Sequence, residues 1–411
     1  MSKCWNSSGM KTMMRWTLSV GLAFLAASWP SFGKPNVLFI AVDDLRDWVG
    51  HLDGHPNAKT PHIDRLAKSG VSFSHAHCSA PLCNPSRISL LTGIAPYHSG
   101  VYGNGEKLRS KLPHAVTLMQ HFKESGYMVM GAGKIFHGTS AYDEDSWDSY
   151  FKPAPSKRPS AKHVNGLAKS AWAPWGPLDC DDEDMFDGKT ANWIISELKK
   201  PQEKPFFVAY GLTKPHLTWQ VPQKYFDLHP LAGSELPPVK EGDLDDLPAF
   251  GRKLAREVYD PSGERNFAVK PDGDHVNVTV HNQWRKAIQS YLATISFADA
   301  QIGRVLDALD HSGHADNTIV VLWGDHGWHL GEKEHWRKHA LWNVSTRTPL
   351  IFSAPRGVAK DKLCQRPVSL IDIYPTLIDL CGLPKRRGLD GHSLKSLLEN
   401  PERKWDRPVV I

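Results

Sequence analysis

The apolar run 36–42 stops abruptly at Asp43 and Asp44, and a second apolar run far down the chain, 318–324, stops at Asp325 and His326. Three carboxylates and an imidazole suit a hard divalent cation. Calcium prefers oxygen ligands, and adjacent aspartates at a strand end can turn both carboxylates into one site. Unpaired in a crevice, the same carboxylates would repel one another, and a cation is the simplest remedy. Taken singly, each Asp could instead cap a following turn or helix. Basic residues recur in the same phase. The run "YMVMGAG" leads to Lys134 and, three residues on, His137, while "PFFVAYGL" leads to Lys214 and His216.

A cysteine occupies an unusual place in "PLCNPSRISLLTG", residues 81–93. Pro85 or Ser86 begins a helix there, with Ile88, Leu90 and Leu91 turned inward. A helix start offers unpaired backbone N–H groups and favours an anion, so the side chain at Cys83 is held where an anionic group is welcome. Arg87, one turn in, can add a bidentate clamp or fix residue 83. The plain alternative is a disulfide, with Cys78 close enough to be the partner.

The elements that carry these residues alternate between strand and helix. Continuous apolar runs such as 36–42 read as strands buried on both faces, typical of parallel sheets. Thr60 and Pro61 open a helix that Gly70 closes, and another spans about Ala115 to Ser125. "YLATISFADAQIGRVLDAL" is a long amphipathic helix ahead of the strand 318–324. The alternation predicts an α/β fold with a largely parallel sheet. Four strands then deliver Asp-Asp, Lys…His, Lys…His and Asp-His at their carboxyl ends, where the binding crevice of such sheets lies. The stretches 140–190 and 222–282, rich in Pro, Trp and Asp, read as loops or insertions that shape a pocket.

"CNPSR" followed by "LLTG" resembles the signature of the type I sulfatases, Cys-x-Pro-Ser-Arg, in which the cysteine is oxidised to formylglycine. "VDD" upstream and "GDHG" downstream strengthen the resemblance, which runs from about Pro35 to Leu383. "DDLR", "GKIFHG", "TKPH" and "DHGWHLGE…WRKH" are most similar to the iduronate-2-sulfatase branch. The resemblance implies an alkaline-phosphatase-like fold, with a smaller C-terminal subdomain largely missing here. It implies one Ca2+ held by Asp43, Asp44, Asp325, His326 and the modified Cys83. It also implies catalytic roles for Cys83, Arg87, Lys134, His137, His216 and Lys338. As a hydrated aldehyde, residue 83 would attack sulfur through one hydroxyl, with Arg87 and Lys134 holding it and the sulfate oxygens. His137 would take the proton from the other hydroxyl as sulfate leaves; His216 and Lys338 would contact the sulfate and protonate the leaving alcohol. Trp328 is either a sugar platform or packing under its loop, and Lys214 and His329 are weaker candidates. The implied substrate is a sulfated glycan, and the implied partner is a formylglycine-generating enzyme. The alternatives are a phosphonate monoester or phosphodiester hydrolase of the wider superfamily, and an inactive glycan-binding homologue.

Residues 1–33 read as a secretory signal. Lys11 and Arg15 precede the apolar run 16–27, and Ser31 and Gly33 supply the cleavage signature. That run is too short to span a bilayer, and the expectation is a secreted or periplasmic protein without a membrane span. The formal charge of +5 falls to +2 once Lys3, Lys11 and Arg15 are removed, so the basic balance carries no nucleic-acid inference. Loss of Cys4 leaves five of the six cysteines, an odd number in an oxidising compartment. The expected organisation is a signal at 1–33, a catalytic domain at 34–384 and the start of a truncated subdomain at 385–411. There, "RPVVI" looks like the beginning of a strand.

Overall fold

The first apolar run is a strand with every residue buried, β1 (Asn36–Val42), and its side chains alternate between two separate cores. Val37, Phe39 and Ala41 enter one core; Leu38, Ile40 and Val42 enter the other. Both faces of the sheet are therefore covered, as a parallel sheet requires. In this computed structural model, which describes residues 33–138, 142–154, 174–256 and 273–411, seven more strands complete the sheet. They are β2 (Val71–Phe73), β3 (Met128–Gly133), β4 (Ser149–Phe151), β5 (Phe206–Leu212), β6 (Thr318–Gly324), β7 (Leu350–Ser353) and β8 (Lys362–Cys364). Their order is β8-β2-β7-β6-β1-β5-β3-β4. Only β7 runs against its neighbours.

The first core is closed by α2 (Cys83–Thr92), α3 (Leu118–Glu124) and α6 (Ile373–Cys381). The second is closed by α1 (Pro61–Lys68), α4 (Phe186–Leu198) and the long α5 (Trp284–Asp310). The fold is α/β and alkaline-phosphatase-like, with a mixed, mostly parallel sheet between helices. Residues 34–411 form one compact unit. No helix among the described residues is long and apolar enough to cross a membrane.

Several boundaries differ from the sequence reading, for physical reasons. Helix α2 begins at Cys83 with Leu82 as its extended N-cap, two residues before Pro85. Pro85 therefore sits inside the first turn, where its missing N–H costs no hydrogen bond. α1 ends at Lys68 with Ser69 as C-cap. Gly70 is required for a different reason: a Cβ there would stand 2.0 Å from the Phe352 carbonyl oxygen. α3 starts only at Leu118, fixed by a capping box between Thr117 and Gln120. Within 140–190 and 222–282 lie the start of α4, a strand Trp175–Leu178 and helices Gln223–Asp227, Ala249–Ala255 and Gly273–Val280, so these stretches are more than loops. Residues 140–141, 155–173 and 257–272 of those stretches, and the expected signal up to residue 32, lie outside the described residues. Near the C-terminus, Leu394, Leu397 and Leu398 are buried in the first core, and residues 407–411 form no strand.

Register matters most for function. Val42 is level with Leu212 on one side and Gly324 on the other, and Gly133 is level with Gly211. The strands thus stop together, and the polar residues that follow them emerge at one edge. Gly211 is one condition of this alignment, because a Cβ there would stand 2.4–2.5 Å from the Lys134 backbone. Gly211→Ala is expected to cost about 1–3 kcal/mol, the usual cost of overpacking, read as a lower urea midpoint. An unchanged midpoint would mean that the strand ends have slack.

Candidate active site

The strand ends bring Asp43, Asp44, Asp325 and His326 to the N-terminus of α2, where Cys83 occupies the first helical position. Cys83 is 1% exposed. Its Sγ lies 3.3 Å from His326 Nε2, 3.3 Å from Lys338 Nζ, and 4.0 Å from both Lys134 Nζ and Asp44 Oδ1. Arg87 is fully buried beneath the cluster. Its Nε donates to Asp325 Oδ2 at 2.9 Å and its Nη2 to Asp43 Oδ1 at 3.2 Å. Its Nη1 donates to the carbonyls of Lys134 and Ile135. The Lys134 ammonium binds Asp43 Oδ2, and Lys338 Nζ donates to Asp44 Oδ1 at 2.7 Å. His216 Nε2 stands 3.8 Å from Asp44 Oδ2. The described cysteines are all free, and the disulfide alternative for Cys83 and Cys78 is set aside.

Charge is closely matched here: three buried carboxylates face Arg87, Lys134 and Lys338. Burial raises the Asp43 carboxyl, but Lys134, with His216 and Arg87, outweighs it and holds the group well below its usual range. Asp44 fares differently. Burial pushes it up to about 7 even with Lys338 in contact, so its charge is under-compensated, and its Oδ2 is buried without a hydrogen-bond partner. Burial likewise raises Asp325. His326 is pushed down by burial yet lifted to about 9, chiefly by Asp325, so the carboxylates draw positive charge into the cluster. Burial opposes ionisation of the Cys83 thiol, but Lys134 and Lys338 hold it well below its ordinary value.

One ligand atom from each of Asp43, Asp44, Cys83 and His326 falls within 4.8 Å of the others. His326 Nδ1 faces the Gly327 carbonyl at 2.9 Å, which assigns the proton to Nδ1 in the neutral ring and turns the Nε2 lone pair toward the cluster. An unpartnered carboxylate oxygen, a second aspartate and, once His326 gives up its Nε2 proton, an imidazole lone pair fit a cation. Asp325 lies beside this group with both oxygens engaged, Oδ1 accepting from the Asp44 N–H at 2.9 Å and Oδ2 from Arg87.

Residues 35–383 match the sulfatase family. A sulfatase of Formosa agariphila is 40% identical over 385 residues, covering 90% of this chain and 73% of that protein. Human iduronate 2-sulfatase is 32% identical over 390 residues, covering 85% and 69%. The chain belongs to the sulfatase family. In fold, this sulfatase superposes on the phosphonate monoester hydrolase of Agrobacterium radiobacter with a TM-score of 0.73 at 22% identity, covering 91% of this chain and 79% of that one.

The other predicted residues have surroundings of their own. His137 is half-buried, with an Nδ1 that has no hydrogen-bond partner. Lys214 donates to the carbonyls of His216 and Thr218 and so braces its own turn. Trp328 is 2% exposed, packs edge-on against Trp219 and lies under the Lys338 ammonium, which favours packing over a sugar platform. His329 is buried, with Nδ1 against the Glu332 carbonyl. The sequence reading missed Tyr291, whose hydroxyl donates to the Asp44 carbonyl at 2.7 Å and accepts from the Arg46 N–H. It also missed Asp187, which accepts from the Thr213 and Lys214 N–H groups and fixes the turn toward His216. A tyrosine among core aromatics of a long helix carries no signal in sequence. Asp187 had one, an acidic residue in a helix's first turn, but it fell in a stretch read as loop.

Removing Arg87 takes a cationic partner from each of two buried carboxylates. Arg87→Met is expected to cost about 3–5 kcal/mol, the usual penalty for breaking a buried pair. Arg87→Lys keeps the charge without the fork and should fall between. Equal urea midpoints for Arg87→Met and the parent would contradict this account of the charge balance.

Proposed function

We propose that this sulfatase removes sulfate from a sulfated carbohydrate, a uronic-acid-containing polysaccharide fitting best, with Cys83 converted to formylglycine and one Ca2+ bound. The observation that carries the reading is the convergence of His326, Lys338, Lys134 and Asp44 on Cys83 Sγ within 3.3–4.0 Å at a helix start. The family membership, and a relative named iduronate 2-sulfatase, support the ester and the sugar class. A signal at 1–33 would place the protein in the periplasm or outside the cell, where sulfated polysaccharides are met. A formylglycine-generating enzyme is then its maturation partner.

Asp43, Asp44, Asp325, His326 and residue 83 would hold the calcium. Bound there, the ion supplies a Lewis acid that eases deprotonation of an oxygen at residue 83. The formyl group, once hydrated, supplies that oxygen, which a thiol lacks, together with a second hydroxyl through which sulfate can be released. The protein's own groups do the remaining work. Lys134 and Lys338 face residue 83 from two sides and attract the sulfate oxygens, whose charge grows in the transition state. Arg87 sits below them and holds the Asp43 and Asp325 carboxylates in place. His137, with its unpartnered Nδ1, takes the proton from the second hydroxyl. Burial keeps His216 down at about 3, so it meets substrate as a neutral ring. Lys338 keeps its proton because Asp44, in contact with its Nζ, opposes the effect of burial, and it donates that proton to the departing alcohol.

Protein co-expressed with a formylglycine-generating enzyme should release free sulfate from sulfated uronic-acid oligosaccharides. Cys83→Ala and Cys83→Ser should each lose at least about 1,000-fold in kcat, the scale of removing a nucleophile. Ion chromatography of sulfate checks it. Undiminished turnover by either variant contradicts the mechanism. Faster cleavage of an aryl phosphodiester than of an aryl sulfate would favour the phosphonate and phosphodiester hydrolase alternative. Binding of sulfated glycan without release would favour the inactive homologue.

A further inference from the structure

Lys338 directly follows the second strand of a short ribbon formed by His329–Leu330 and Trp336–Arg337, and the backbone on both sides of it is strained. Arg337 has φ of 80° and His339 has φ of 71°, left-handed values that side chains with a Cβ avoid. Such a conformation persists only where its surroundings over-determine it, and three successive residues are each clamped. The Arg337 guanidinium donates to Asp274 Oδ2 at 3.0 Å. The Lys338 carbonyl lies 2.9 Å from His335 Nε2. The His339 N–H donates to the Pro81 carbonyl at 3.1 Å.

Of the three, His335 alone touches Lys338 itself. Its ring is 1% exposed and lies edge-on to His329 and Trp342. Its Nδ1 faces the Ala255 carbonyl at 3.3 Å, at the end of helix Ala249–Ala255. Burial holds the ring down at about 4, so it is neutral near pH 7 and carries one proton, which belongs on Nε2, the nitrogen with the shorter contact.

We propose that His335 is a positioning residue for catalysis: by donating to the Lys338 carbonyl it holds the strained segment 337–339 so that Lys338 Nζ falls on Asp44 and Cys83. Ala255 and Asp274 then serve as the outer brace of the catalytic lysine. Without the Nε2–H donor, the segment 337–339 relaxes and the ammonium leaves its 2.7 and 3.3 Å contacts. This inference rests on the catalytic placement of Lys338 proposed above.

A double-mutant cycle on sulfate release by the matured protein tests it. His335→Ala is expected to lower kcat by about 100-fold, the scale of a small misplacement of a reacting group, with a much smaller change in KM. In a Lys338→Ala background the same substitution should cost less than about 2-fold, because the group it positions is gone. His335→Gln, which returns a side-chain N–H near the same carbonyl, should recover most of the rate and guards against a folding defect. Equal losses in both backgrounds, parent-like kcat for His335→Ala, or no recovery with Gln would overturn the positioning role. Full activity of Lys338→Ala alone would instead overturn the catalytic reading of Lys338.

Discussion

The buried guanidinium of Arg87 is the contact on which the site depends. It joins Asp43 at the end of β1, Asp325 at the end of β6 and the Lys134 backbone at the end of β3 in one fork of hydrogen bonds. These groups are far apart in the chain, and each carboxylate would be costly to bury alone. Arginine suits the place because it stays charged and presents its donors in a rigid plane. Because Arg87 sits one turn into α2, satisfying those carboxylates also fixes where the helix begins and where Cys83 points. Anchoring the Asp43 and Asp325 carboxylates and placing residue 83 are therefore one structural event.

The sheet makes that event possible. Its strands stop in register, so each turn that follows projects its polar residues into the same crevice. The core on both faces leaves this edge as the place where charge can gather, and local close approaches such as Gly211 against Lys134 keep the turns tight. Charge matching then does the rest. Lysines that would be ordinary surface residues elsewhere are held at Cys83 by carboxylates that need them, and Asp44 is left with an oxygen unsatisfied.

What could be read from the sequence follows from this geometry. Apolar runs broken by charged residues marked β1, β3, β5 and β6 and the polar residues at their ends, because a buried strand and its exposed turn differ sharply in composition. The motif at Cys83 identified the family before any fold was known. Contacts between remote segments were hidden. The Tyr291 hydroxyl on the Asp44 carbonyl joins residues 247 positions apart. The start of α2 at Cys83 was obscured by Pro85, a good first helical residue that here sits third. The clamps from 222–282 onto the Lys338 ribbon were invisible because a polar, proline-rich stretch has no periodicity to betray its helices or their partners.

The central claim is that Asp43, Asp44, Asp325 and His326 grip one hard cation beside residue 83. Calorimetric titration of calcium into chelator-stripped protein tests it most directly, with Asp44→Asn run alongside. The account predicts one ion bound per chain, a melting temperature that rises with calcium, and at least about 10-fold weaker binding in the variant, corresponding to about 1.4 kcal/mol. A stripped protein that takes up no calcium and melts at the same temperature with or without it would contradict the account.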